Sequence, residues 1–246
     1  MTKNANIIEI FWSIQGEGPY IGYRQIFIRF AGCNLSCDYC DTPFQAQEFC
    51  NLEVSSGSKE FKKLKNPVSK EQLLNVTLNL FQYDNYHSIS LTGGEPLLHT
   101  DFLLDFLPDF RKNFPKTKVY LETNGTLFEE LEKIIDYIDI ISMDLKLKSS
   151  TGTDFPFEKH KKFIEIARND NIEIFAKAVI TSKISDEEIE ELSDFIKIPL
   201  ILQPVDSGNK ELLLSSQSIL EIQEKFLKKL GDVRVIPQVH KFLDLL

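Results

Sequence analysis

Cysteine is scarce in this 246-residue chain, with only four residues. Three of them crowd into one short loop, which excludes a disulfide framework in a chain of this length. No apolar run approaches the ~18–20 residues that a membrane span requires, and the opening "MTKNANIIEIFWS" lacks the apolar stretch and small-residue cleavage site of a secretory signal. The expected setting is therefore the cytoplasm, with no membrane partner. Positive charge is also in short supply: the formal net charge is −9, and Lys and Arg are scattered except for "KEFKKLKNPVSK" at 59–70. A nucleic-acid face needs a basic stripe to neutralise phosphates, so no nucleic-acid partner is expected. The lysine run reads as a solvated loop. Repeats longer than one βα unit and low-complexity tracts are absent as well.

What is present is apolar material, 42% of the residues, enough to bury the core of one large α/β domain spanning 1–246. β-branched runs alternate with segments of helical periodicity, the pattern of βα units around a parallel sheet. Strands are expected at 7–13, 26–32, 88–93, 119–125, 139–146, 172–180, 200–205 and 233–239. Ser69 with Gln72, and Ser185 with Glu188, match the capping box and set helix starts near 70 and 186. The segment at about 45–66 is polar and reads as an insertion or lid.

The polar residues gather within or just after the C-terminal halves of these strands: Thr92 to Pro96, Glu122 to Gly125, Ser142 to Lys146, Lys177, Gln203 to Asp206, and Gln238 with His240. In a (β/α) barrel that end of the strands builds the active site. An unpaired buried charge costs several kcal/mol against a domain stability of about 5–15 kcal/mol, so this many polar groups require a shared polar pocket.

The loop "AGCNLSCDYCDTPF" at 31–44 sets Cys33, Cys37 and Cys40 in a C-x3-C-x2-C spacing. A structural zinc site wants four closed ligands, and no second C-x2-C pair exists here. Cys50 would be the fourth thiol of a non-catalytic metal module, but it lies in the polar insertion. Iron–sulfur clusters also take four ligands as a rule. With three, one iron stays open and the fourth ligand is a substrate or cofactor.

C-x3-C-x2-C after the first barrel strand, followed by Gly-Gly-Glu-Pro after the next, resembles the radical S-adenosylmethionine superfamily. The resemblance implies a partial (β/α)6-type, TIM-like barrel and a [4Fe-4S] cluster on Cys33, Cys37 and Cys40. It implies further that the open iron chelates S-adenosylmethionine, whose one-electron cleavage yields a 5′-deoxyadenosyl radical. Within that superfamily, "SIQGEG" joined to "RFAGCNLSCDYCDT", with "TGGEP", "ETNG" and "RVIPQVHKFLDLL", resembles the 7-carboxy-7-deazaguanine synthase family from Glu9 to Leu246. That family turns 6-carboxy-5,6,7,8-tetrahydropterin into 7-carboxy-7-deazaguanine on the way to queuosine and related deazapurines.

The resemblance also implies site roles. Ile14, Gln15, Gly16 and Glu17, with Arg29, Thr92 and Leu246, would contact the pterin. Arg29 would offer a bidentate fork to its carboxylate, and the 15–17 turn would read its guanidine-like edge. Tyr39, Gly93, Gly94, Glu95, Ser142, Lys146, and Gln203, Pro204, Val205 and Asp206 would hold S-adenosylmethionine. In that arrangement the Glu95 carboxylate or neighbouring carbonyls receive the methionyl ammonium. Thr42 would sit beside a Mg2+ ion that leans on substrate oxygens. A flavodoxin or ferredoxin donor and a homodimer are further family expectations. A glycyl-radical activating enzyme shares the cysteine spacing, but the other signatures of that class are missing.

Overall fold

The computed structural model describes residues 3–37, 40, 45–81, 86–154, 156–168, 171–207 and 211–246. Among the described residues, ten strands form one sheet and two further two-residue strands, β1 (Asn4–Ala5) and β6 (Val68–Ser69), pair beside it. The sheet contains β2 (Ile7–Ile14), β3 (Arg24–Phe30), β4 (Phe49–Glu53), β5 (Phe61–Lys65), β7 (Ser88–Gly93), β8 (Lys118–Thr123), β9 (Ile140–Leu145), β10 (Glu173–Ile180), β11 (Leu200–Pro204) and β12 (Val233–Val235). Its order is β12-β11-β10-β9-β8-β7-β3-β2-β4-β5. From β3 through β12 every pairing is parallel, and crossover helices make those connections, as parallel strands require. This is the partial barrel expected from the cysteine motif, and each expected strand is found, although the one expected at 233–239 stops at Val235 and a short helix begins at Val239.

The helices are α1 (Lys70–Leu80), α2 (Thr100–Asn113), α3 (Phe128–Ile134), α4 (Lys148–Thr151), α5 (Phe157–Ala167), α6 (Asp186–Phe195), α7 (Ser216–Leu227) and α8 (Val239–Phe242). Local sequence sets their starts. Ser69 N–H donates to Gln72 Oε1 at 2.9 Å and Gln72 N–H returns the bond to Ser69 Oγ at 3.3 Å, closing the capping box of α1. Ser185 Oγ caps α6 through Glu188 N–H, and three acidic residues in the first turn favour the positive end of the helix dipole. In α2, Phe102, Leu103, Phe106, Leu107 and Phe110 recur at helical spacing and are all buried against the sheet.

The stretch at 45–66 departs from its reading as a polar lid or solvated loop. It contributes β4 and β5, an antiparallel hairpin with Phe49 opposite Lys65 and Glu53 opposite Phe61, and β4 extends the sheet from β2. Glu53 is 1% exposed and fastens the hairpin by accepting Trp12 N–H at 3.0 Å and Lys59 N–H at 3.2 Å. Lys62, Lys63 and Lys65 are exposed on the outermost strand, where charge deters pairing with another edge.

Side chains on one face of a strand recur every two residues. Inside the barrel this stepping starts from Tyr120, Ile140, Phe175 and Ile201, an apolar cluster with Tyr20 and Ile236 packed on it. Two residues further along stand Glu122, Ser142, Lys177 and Gln203. The barrel is thus floored with apolar rings and turns polar toward the C-terminal ends of its strands.

Candidate functional site

Above that floor lies a cavity of about 310 Å3, lined by the cysteine loop, the C-terminal ends of β7 through β11, the turn after β2 and the segment after β12. Ile14, Gln15, Gly16, Glu17, Arg29, Cys33, Cys37, Cys40, Thr92, Gly93, Gly94, Lys146, Leu246 and the whole of 203–206 line it. Residues named from motifs far apart in the chain therefore meet on one surface. Tyr39 and Thr42 lie outside the described residues.

The cysteine loop is held by polar contacts rather than by packing. Ala31 carbonyl meets His99 Nε2 at 2.8 Å, and Asn34 is clamped between Asn124 Nδ2 and Thr126 Oγ1, each at 2.8 Å. Cys33 Sγ receives Leu35 N–H at 3.5 Å and Asn124 Nδ2 at 3.7 Å. Burial holds the Cys33 and Cys37 thiols above their ordinary value, an effect that the Lys146 ammonium only partly offsets. Among the described residues, no set of three or more His, Cys, Asp and Glu is arranged to hold a single ion. Cys50 is fully buried in the main core and does not reach the cavity wall, which separates it from the other three thiols.

Two expected ligand contacts take a different place. Glu95 is 0% exposed. Its carboxylate accepts Leu97 N–H at 3.1 Å, Asn124 N–H at 2.8 Å and the Thr123 hydroxyl at 2.8 and 3.0 Å. It therefore ties the turn after β7 to the turn after β8 instead of facing a ligand, so of the two acceptors expected there only the neighbouring carbonyls remain. Ser142 is 4% exposed and absent from the cavity wall; it instead meets the Tyr120 hydroxyl below it. Asp144, one step further along the same face of β9, lines the cavity in its stead.

The glycines after β7 have a packing reason as well. A Cβ on Gly94 would stand 2.0 Å from the Gly32 carbonyl oxygen, and Gly94 N–H and Glu95 N–H bond to Phe30 and Gly32 carbonyls at 3.0 and 2.8 Å. Close backbone approach is thus made to the cysteine loop itself. Gly16 is similar: a Cβ there would sit 2.2 Å from His240 Nδ1, and Gly16 carbonyl accepts Val239 N–H at 2.8 Å.

Charged and polar groups fill the remaining wall in definite pairs. Arg29 stacks over the Phe11 ring and gives Nε to Glu9 at 2.7 Å, which orients the guanidinium and leaves its two Nη nitrogens for the cavity. Gln15 Nε2 bonds Gln25 Oε1 at 3.2 Å and Glu122 Oε1 at 3.0 Å, while its oxygen accepts Glu17 N–H at 3.0 Å. Gln15 thus sets the turn and lends its edge to neighbours. Glu122 also accepts the Thr92 hydroxyl at 2.9 Å and that of Ser90 at 3.3 Å.

Lys177 spans Glu17 on one side and Asp144 Oδ1, at 3.1 Å, on the other. Burial works to raise the Glu17 carboxyl, but Lys177 holds it below the usual range. Burial likewise opposes ionisation of Asp144, and Lys146 and Lys177 bring it down to about 2. For Lys177 burial acts to lower the ammonium, and the Asp144, Glu17 and Glu122 charges keep it well above its ordinary value. Lys241 pairs with Asp206 at 2.9 Å at the far wall.

Glu122, Asp144 and Lys177 carry this wall although no role could be assigned to them from the chain alone. Their place at the polar ends of strands was the only signal. Gln203, 5% exposed, has a buried Oε1 with no hydrogen-bond partner among the described residues. An orphaned acceptor on a cavity wall fits a bound donor, and three thiols on the facing loop are the donor set of a cluster with an open iron.

Residues 27–196 match the model of the Radical SAM superfamily. A 7-carboxy-7-deazaguanine synthase from Geobacter sulfurreducens is 42% identical over 247 residues, covering 97% of each chain. One from Archaeoglobus fulgidus is 37% identical over 246 residues, covering 97% of this chain and 98% of that one. In three dimensions the chain resembles QueE from Escherichia coli, with a TM-score of 0.58 and 21% identity over 98% of this chain and 95% of that chain. It also resembles native anSMEcpe with bound AdoMet, with a TM-score of 0.52 and 22% identity over 80% of this chain and 56% of that chain. These two likenesses speak to the fold alone.

Proposed function

The chain belongs to the 7-carboxy-7-deazaguanine synthase family of the radical S-adenosylmethionine superfamily, and on that premise we propose that its cavity converts 6-carboxy-5,6,7,8-tetrahydropterin to 7-carboxy-7-deazaguanine with loss of ammonia. The observation that carries this reading is the meeting, in one cavity of about 310 Å3, of a three-thiol loop with a carboxylate-bearing turn and an oriented arginine.

Cys33, Cys37 and Cys40 would hold the [4Fe-4S] cluster, and Gly93, Gly94, Lys146 and the 203–206 segment would hold S-adenosylmethionine. When bound and given one electron, that pair supplies a 5′-deoxyadenosyl radical able to take a hydrogen atom from a carbon. The protein's own residues orient and enclose. Arg29, fixed by Glu9, presents its Nη nitrogens to the pterin carboxylate. Glu17 and Glu122 accept hydrogen bonds from the donor-rich edge of the ring, and the Thr92 hydroxyl, already donated to Glu122, offers its lone pairs. Gln203 Oε1 gains a partner when a ligand donor reaches it. Ile14, Leu246 and the segment after β12 complete the wall and exclude water.

Thr42 with substrate oxygens would hold Mg2+, which acts on the substrate as Lewis acid and template. A flavodoxin or ferredoxin as electron donor, a homodimer and a cytoplasmic setting belong to the same reading and rest on the family likeness. The test is direct. Anaerobically reconstituted protein is incubated with the carboxytetrahydropterin, S-adenosylmethionine, Mg2+ and a reductant, and the product is sought by mass. Product that depends on all four components is the expected result. Cofactor cleavage unaffected by the pterin, with no deazaguanine formed, would overturn the assignment.

A further inference from the structure

Four charged side chains form an unbroken line along the cavity wall. Glu17 pairs with Lys177, Lys177 reaches Asp144 Oδ1 at 3.1 Å, and Asp144 gives its other oxygen to Lys146 at 2.9 Å. The side chains are 15%, 8%, 29% and 14% exposed in that order. Lys177 and Asp144 are direct partners across β10 and β9, so the sheet itself fixes the middle of the line. Glu17 and Lys146 both line the cavity. Glu17 stands on the turn after β2, where Gln238 Nε2 also reaches it at 2.5 Å, and Lys146 stands where its charge is felt by the Cys33 and Cys37 thiols.

We propose that Lys177 is a positioning residue that couples the two ligand sites, so that filling the S-adenosylmethionine side strengthens pterin binding through Lys146, Asp144, Lys177 and Glu17. The inference rests on the reading above, in which the cofactor lies against Lys146 and the pterin against Glu17. Its sign follows from shared partners. Asp144 is divided between two ammonium groups, and Lys177 between two carboxylates. A ligand carboxylate that engages Lys146 releases Asp144 toward Lys177. Lys177 then leans on Asp144, and Glu17 is freed to accept from the donors of the pterin ring. Buried ion pairs in low dielectric trade partners in this discrete way because none of them can be left alone. Coupling between two binding events is also reciprocal, so the pterin strengthens cofactor binding by the same factor.

Binding is measured on anaerobically reconstituted holoenzyme without reductant, so that nothing turns over: pterin titrations with and without S-adenosylmethionine, and the reverse pair. The wild type is expected to bind each ligand at least about 5-fold more tightly in the presence of the other. Lys177→Met is expected to lose this ratio and Lys177→Arg to restore part of it. Because Lys177→Met strands two half-buried carboxylates and can fail to fold, Asp144→Asn is the deciding variant. It keeps the Glu17–Lys177 pair and cuts the line, so the ratio falls below about twofold whatever the pterin affinity without cofactor. An Asp144→Asn protein that retains the wild-type ratio overturns the proposal, as does a wild type that binds both ligands independently. A wild type that binds no pterin overturns the underlying reading of the cavity instead.

Discussion

Glu95 and Glu17 both stand in the chain's most recognisable motifs, and the protein treats them in opposite ways. Glu95 is sealed among backbone N–H groups and a threonine hydroxyl, and burial pushes its carboxyl up to about 7 despite those hydrogen bonds. Glu17 lies against a lysine on a cavity wall and is held ionised. The difference teaches that a carboxylate whose oxygens are consumed by its own backbone is a fastener. One balanced by a paired ammonium beside open space is a recogniser. Motif identity alone does not separate the two roles; the neighbours do.

The comparison breaks most visibly if the fastener is removed. Glu95→Ala leaves Leu97 N–H, Asn124 N–H and the Thr123 hydroxyl stranded in the interior, and a loss of about 3–5 kcal/mol in urea-unfolding stability is expected. A loss below about 1 kcal/mol would show that water replaces the carboxylate and that the two turns are not tied through it.

The pH dependence sharpens the same contrast. With a folded value of about 7 against an ordinary 4.5, the native state holds the Glu95 proton more tightly than the unfolded chain does. Its contribution to stability is therefore complete below about pH 4.5 and is lost as pH rises through 7, roughly 3 kcal/mol in all. Glu17 and Asp144 run the other way. Their contributions are whole above the unfolded carboxyl range and vanish only as pH falls, toward about 2 for Asp144. Urea midpoints between pH 5 and 8 should decline for the wild type through the Glu95 term and flatten in Glu95→Gln; identical slopes would reject this account.

Glu17→Gln keeps the size of the recogniser and removes its charge. A fall in kcat/KM of roughly 10- to 150-fold is expected, equivalent to about 1.5–3 kcal/mol for a lost charged hydrogen bond, with stability altered much less. Equal losses in stability and turnover would make Glu17 another fastener. The smallest effect belongs to Lys59, whose pair with Asp244 at 2.8 Å has side chains 44% and 81% exposed. Lys59→Ala should lower the urea-unfolding stability by no more than about 1 kcal/mol.

Much of this was legible in the chain. The β-branched runs located the parallel strands because buried strands need them, and the polar residues after those runs marked the cavity end because only a shared pocket tolerates them. Depth within the barrel was not legible. Ser142 and Asp144 share a face of β9, and which of them clears the apolar floor depends on the stagger of neighbouring strands. The β4–β5 hairpin escaped notice because "FCNLE" and "FKKLK" lack the strict alternation of a half-buried strand, and a sheet edge rewards lysine where a central strand rewards valine. Lys177 stands out in the chain only as one of the polar residues in the C-terminal half of a strand. Its two partners come from positions 144 and 17, and no local pattern announces so distant a meeting.

The joint between Gly16 and Val239 has one further consequence. Here the turn following β2 rests on the stretch following β12, through a backbone hydrogen bond and a side chain that glycine alone leaves room for. The sheet's hydrogen-bond ladder does not run across this seam. These two segments of the cavity wall are therefore joined by single hydrogen bonds and a side-chain fit, so a side chain added at Gly16 would disturb the wall while leaving every strand in register.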